Sequence, residues 1–132
     1  MRADLTIEIA RPAEDVFAYL TDVSNLPAWQ SGVRSATERD GRIEESRSLL
    51  GKDFDTSLEI VESEAPRVFT LRALDGPVRF TVRHELEPTD AGTRLTVIAE
   101  GEVPGFAAGL LARGAERQFR KDFERLKQIL EG

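Results

Sequence analysis

The hydrophobic positions of this chain change period along its length, and each change marks a change of element. Leu5, Ile7 and Ile9 alternate with Thr6 and Glu8, which predicts a strand with one buried face. Pro12 ends that strand and opens a helix. Proline suits the first helical position, Glu14 and Asp15 lie where the positive helix end favours anions, and Val16, Phe17, Tyr19 and Leu20 supply the apolar spacing. A second short helical turn is predicted from Asp22 to Trp29, with Ser24 as its cap and Pro27 in its first turn.

From Val33 to Glu102 the period is two, broken by turn signals at Asp40-Gly41, Gly51-Lys52, Ala65-Pro66, Asp75-Gly76 and Asp90-Ala91-Gly92. Six consecutive antiparallel strands are expected, roughly 33–38, 42–50, 54–62, 68–74, 78–87 and 93–102. Their registers test one another, because a slip of one residue turns a whole apolar set outward. Two-residue loops at Asp75-Gly76 and Ala65-Pro66 put Phe54, Thr56, Leu58 and Ile60 on one face with Phe69, Leu71, Ala73, Val78, Phe80, Val82, His84 and Leu86. Leu95, Val97 and Ala99 complete that face. Strand 42–50 has two solutions: a two-residue turn sends Glu45 and Arg47 inward, a three-residue turn Ser46 and Ser48.

After Pro104-Gly105, Phe106, Leu110, Leu111, Ala115, Phe119, Phe123, Leu126 and Leu130 recur at helical spacing, predicting a long helix that covers the concave sheet face. The expected class is α+β: a seven-stranded curved antiparallel sheet wrapped around a long C-terminal helix, with two short helices after the first strand. The 132 residues fit one domain, 1–132.

Composition narrows the function. With no cysteine there is no disulfide, thiolate catalysis or Cys-based metal site, and a net charge of −6 opposes a nucleic-acid backbone. Basic residues do gather near the end (Arg113, Arg117, Arg120, Lys121, Arg125, Lys127). Acids are mixed among them, so a solvated helix face is expected, with Glu116 supporting Arg120. No apolar run approaches the roughly 18 residues of a membrane span and no leader-like segment opens the chain, so a cytoplasmic location is expected.

Three segments carry a family resemblance: IEIARPAEDVFAYLTDVSNLPAW at 7–29, EPTDAGTRLTVIAEGE at 87–102, and the closing amphipathic helix ending FERLKQILEG. Together they resemble the START-like polyketide cyclase/dehydrase and lipid-transport superfamily (SRPBCC, helix-grip fold), in its small bacterial single-domain branch. The resemblance implies a cavity between sheet and C-terminal helix, with the small helices at its mouth. It implies ligands such as lipids, sterols or polyketides and fixes no catalytic set.

The ligand-binding set expected on this basis is Tyr19, Leu20, Trp29, Val33, Arg47, Thr56, Leu58, Leu71, Phe80, Val82, His84, Val97, Phe106, Leu110 and Phe119. Tyr19 and Trp29 each offer an apolar body with a polar tip, suited to stacking and orienting a ring, and core packing is the plainer role for both. His84, the only histidine, faces inward by parity, as a hydrogen-bonding partner, a general base or simply a satisfied core residue. Arg47, if inward, is the candidate for a ligand carboxylate or enolate, with a salt bridge to Glu45 as the alternative.

Gly105, Gly109 and Gly114 weaken the start of the last helix and ask for either close helix–sheet approach or a pliant lid. One histidine and no cysteine leave no metal cluster, and there is no Gly-rich phosphate loop or Ser-His-Asp triad, so no cofactor is expected. Three functions fit: binding a small hydrophobic or aromatic molecule, a metal-free aromatase/cyclase in which Tyr19, Arg47 or His84 moves a proton, or a protein-interaction domain with a vestigial cavity. The partner is then a small ligand, and the chain a monomer or homodimer.

Overall fold

The computed structural model describes residues 2–49, 51–75, 79–102 and 108–132, with only the backbone course given for Leu49 and residues 108–112. The strands are β1 (Arg2–Ile9), β2 (Val33–Arg39), β3 (Arg42–Leu49), β4 (Lys52–Glu64), β5 (Val68–Ala73), β6 (Arg79–Thr89) and β7 (Gly92–Glu102). Between β1 and β2 lie α1 (Ala13–Thr21), a 3-10 turn (Val23–Asn25) and α2 (Leu26–Trp29), and α3 (Ala108–Glu131) closes the chain. The strands form one antiparallel sheet in the order β1-β7-β6-β5-β4-β3-β2. Phe123, Leu126 and Leu130 of α3 are buried against its curved inner face.

Among the described residues the expected inward set is the observed one, reached by different turns; Val78 lies outside them. At the β2–β3 turn Asp40 and Gly41 both take positive φ, 53° and 78°, the twisted two-residue turn that matches strand twist. Arg39 therefore opposes Arg42, and Glu45 and Arg47 face inward. Between β4 and β5 the loop has three residues, 65–67, rather than two, and Ala65-Pro66 is cis.

A bulge at Val61 cancels that extra residue, so Ile60 still opposes Leu71 and Leu58 opposes Ala73. Unbroken alternation would carry Glu62 inward. The bulge turns it to the convex face, where it accepts from Thr70 and pairs with Arg83. The β5–β6 register also departs from expectation. Leu71 opposes Val82 and Phe69 opposes His84, two residues beyond what a two-residue loop at Asp75-Gly76 requires. A slip of two leaves every side chain on its face.

Asp22, rather than Ser24, caps the 3-10 turn: its carboxylate accepts from the Ser24 backbone N–H at 3.1 Å. The second half of α3 is tied down at several points. Arg125 Nε donates to the Ala28 carbonyl at 2.7 Å, Arg11 donates to the Leu130 carbonyl at 2.8 Å, and the Ala10 N–H donates to Glu131 at 2.8 Å.

The preceding stretch differs. Residues 113–118 are all exposed, including Ala115, which the periodicity had placed on the buried stripe. A Cβ added at Gly114 would meet nothing within 4 Å, so close helix–sheet approach does not account for that glycine. Phe106 and the side chain of Leu110 lie outside what is described, as do Gly105 and the surroundings of Gly109. Among the described residues no helix is long and apolar enough to cross a membrane.

Candidate functional site

The concave face carries a few polar side chains in an apolar surround, and two strand pairs position most of them. On β3, Glu45 and Arg47 project inward two residues apart. The Arg47 Nε donates to Glu45 Oε1 at 2.6 Å, and its Nη2 reaches Glu45 Oε2 at 3.5 Å. Nη2 also donates to Gln30 Oε1 at 3.0 Å, so the residue just after α2 holds the far side of the guanidinium. The Glu45 side chain is 1% exposed and that of Arg47 25%, so the pair runs from the interior toward solvent. The guanidinium carbon lies 5.9 Å from the centroid of Phe80, within cation–π range.

Thr56, directly opposite Glu45 on β4, is buried, and its hydroxyl has no hydrogen-bond partner among the described residues. The Trp29 indole N–H is orphaned in the same way. An unpaired buried polar group costs about 1–3 kcal/mol, which a bound partner would return.

His84 sits at the centre of an aromatic run. Phe69 and Phe123 flank its ring at 5.8 and 5.9 Å, and Phe123 in turn meets Trp29 at 5.0 Å and Phe119 at 5.1 Å. Nδ1 lies 2.8 Å from the Phe69 carbonyl, which can only accept, so Nδ1 carries the proton and Nε2 presents a bare lone pair. Burial lowers the pKa to about 4 against the opposing effect of that hydrogen bond, so the ring is neutral at neutral pH.

Asp122, on α3 one residue before Phe123, is the part of this cluster that periodicity missed, with Gln30. It accepts from the Ser31 N–H at 3.3 Å and from Gln118 at 2.8 Å. Burial raises its pKa, while those hydrogen bonds and the Arg47 charge oppose the rise. A carboxylate beside an apolar stripe was the available signal for it.

Leu20, Trp29, Val33, Leu58, Leu71 and Val97 are buried in the core, while Tyr19, Phe80, Val82 and Phe119 are half-buried against it. No hydrogen bond joins Tyr19, Arg47 and His84 among the described residues. Two open grooves of about 370 Å³ each lie elsewhere, one on the convex face around Arg67, Arg83 and Arg94, the other between Ala10–Glu14 and Pro88–Gly92. The first is lined by ion-paired side chains such as Arg67 with Glu64 and Arg94 with Glu87, which leaves little for a ligand to satisfy.

Solved structures similar to this chain share its fold. A conserved protein from Geobacillus kaustophilus superposes with a TM-score of 0.85 at 20% identity, over 98% of this chain and 95% of that one. A START superfamily protein from Mycobacterium smegmatis superposes with a TM-score of 0.77 at 17% identity, over 97% and 98%. The di-domain ARO/CYC BexL from the BE-7585A biosynthetic pathway matches at 0.78 and 18% identity, over 97% of this chain and 45% of its own. No curated protein matches in sequence. The family model for polyketide cyclase/dehydrase and lipid transport matches residues 1–131, and the chain belongs to that family.

Proposed function

We propose that the protein binds a small hydrophobic or aromatic molecule between the concave sheet face and α3, its polar end toward Arg47. The observation that carries this reading is the uneven closure of the concave face. At one end Leu86, Leu95, Leu126 and Leu130 are shut away from water. Toward the other, Phe54, Phe80, Val82, Ala99 and Phe119 face inward yet are only half-buried, and the turns of α3 just before Phe119 are exposed. Covering apolar surface there stabilises a complex by about 25 cal/mol per Å². The unpaired Thr56 hydroxyl and the His84 Nε2 lone pair add hydrogen-bonding capacity to the same face.

A cyclase would ask these side chains to move a proton. An imidazole whose pKa is lowered to about 4 is a weak base at neutral pH, which favours binding over proton transfer as the role of His84. Methyl palmitate and methyl anthraquinone-2-carboxylate are suitable probes, followed by native mass spectrometry and by Trp29 emission. A one-to-one complex is expected, with a changed Trp29 signal, and Val82→Trp, which fills the open end, should abolish it. Binding that persists unchanged in that variant, or no binding of either probe, overturns the proposal.

A further inference from the structure

Resting on that reading of the site, we infer that Glu45 sets its ligand class, making the polar end a receptor for an uncharged oxygen group, such as a ketone, ester or hydroxyl, and not for a carboxylate. An arginine alone at the mouth of an apolar cleft would recruit carboxylates, because its planar fork matches two carboxylate oxygens. Here the fork is already engaged. Nε and Nη2 are taken by the two oxygens of Glu45 at 2.6 and 3.5 Å, and Nη2 is shared with Gln30 at 3.0 Å. Asp122 also acts on Arg47 through space from α3.

A carboxylate arriving at this point would lose its hydration and meet two acids for one guanidinium. Desolvation and like-charge repulsion both oppose it. An uncharged carbonyl avoids both costs and can accept from Nη1, which donates to no described residue. The unpartnered, buried Thr56 hydroxyl, across the strand pair from Glu45, suits the same kind of group.

The test compares anthraquinone-2-carboxylate with its methyl ester, which share one ring system and differ in charge, on the wild-type protein and on Glu45→Gln. Glutamine retains an acceptor for Arg47 and removes the charge. The wild type should prefer the ester, and Glu45→Gln should tighten the acid by about tenfold or more while leaving the ester nearly unchanged, as expected for freeing one desolvated charge. Asp122→Asn should shift the ratio the same way by a smaller factor, and it decides the matter if Glu45→Gln does not fold. A wild type that prefers the acid, or an acid-to-ester ratio unmoved in the folded variants, overturns the inference and leaves the binding site standing. Failure of both probes to bind any of the proteins removes the site itself and the inference with it.

Discussion

An imidazole shut away from water, with Nδ1–H committed to the Phe69 carbonyl, loses its hydration on protonation and gains no counter-charge in return. The folded pKa of His84 therefore lies at about 4, below the ordinary histidine value of 6.5. The unfolded chain takes up a proton as pH falls through 6.5 while the folded protein does not, so stability declines through that window and levels off once both states are protonated. The full effect of this shift is about 3 kcal/mol. Urea unfolding across the window should show that loss in the wild type and not in His84→Gln. Parallel curves would place His84 in contact with water. The Glu45–Arg47 pair yields a second expectation at this scale. Glu45→Leu alone leaves the quarter-exposed guanidinium with Gln30 as its remaining acceptor and should cost about 1–3 kcal/mol, whereas adding Arg47→Met should recover most of it, since a buried ion pair often contributes little over an apolar replacement.

Two glycines behave oppositely because of the elements they serve. At Gly92, where β7 begins beside the end of β1, a Cβ would lie 2.2 Å from the Ile9 carbonyl oxygen and 2.8 Å from the Arg11 nitrogen. Both are backbone atoms that cannot swing aside, so Gly92→Ala should destabilise the fold by about 1–3 kcal/mol or more. Gly114 lies within α3 with open space around it, and Gly114→Ala should raise stability by about 0.5–1 kcal/mol through helix propensity. Thermal unfolding of the two variants checks both signs.

The elements themselves were legible because each strand alternates and each turn carries its signal. Loop lengths were less so. The loop beyond Ala65 and the bulge at Val61 offset each other, and a slip of two between β5 and β6 leaves parity untouched, so a face-by-face reading is blind to both. Of the site, Thr56 and His84 could be placed on the concave face from parity, whereas Arg47 depended on the length of the turn at Asp40-Gly41, which the sequence left open between two and three residues. Gln30 and Asp122 could not, because they reach the cluster from helical segments whose approach to β3 no local pattern encodes. Ala115 was misplaced for a related reason: helical period describes a face and does not say how far along the helix that face stays in contact.

Among the described residues, the inner side chains of the sheet and α3 are buried toward one end and half-buried toward the other, and local stability should follow the same gradient. Amides of residues 123–130, whose helix face is buried by Phe123, Leu126 and Leu130, should exchange far more slowly with solvent than those of residues 113–118, whose side chains are exposed. Hydrogen exchange with and without methyl anthraquinone-2-carboxylate should show the added protection concentrated in 113–118 and in the β6 stretch around Val82. Protection spread evenly, or confined to the convex face, would contradict binding at the open end.

The bulge at Val61 divides the β4–β5 hairpin into a stem, whose Leu58 and Ile60 belong to the concave wall, and a tip around residues 65–67 that is registered separately. Added length at that tip can be absorbed beyond the bulge without sliding the stem. The same hairpin is therefore a place to graft a peptide tag or tether the protein to a sensor surface, with the register of the buried wall left undisturbed.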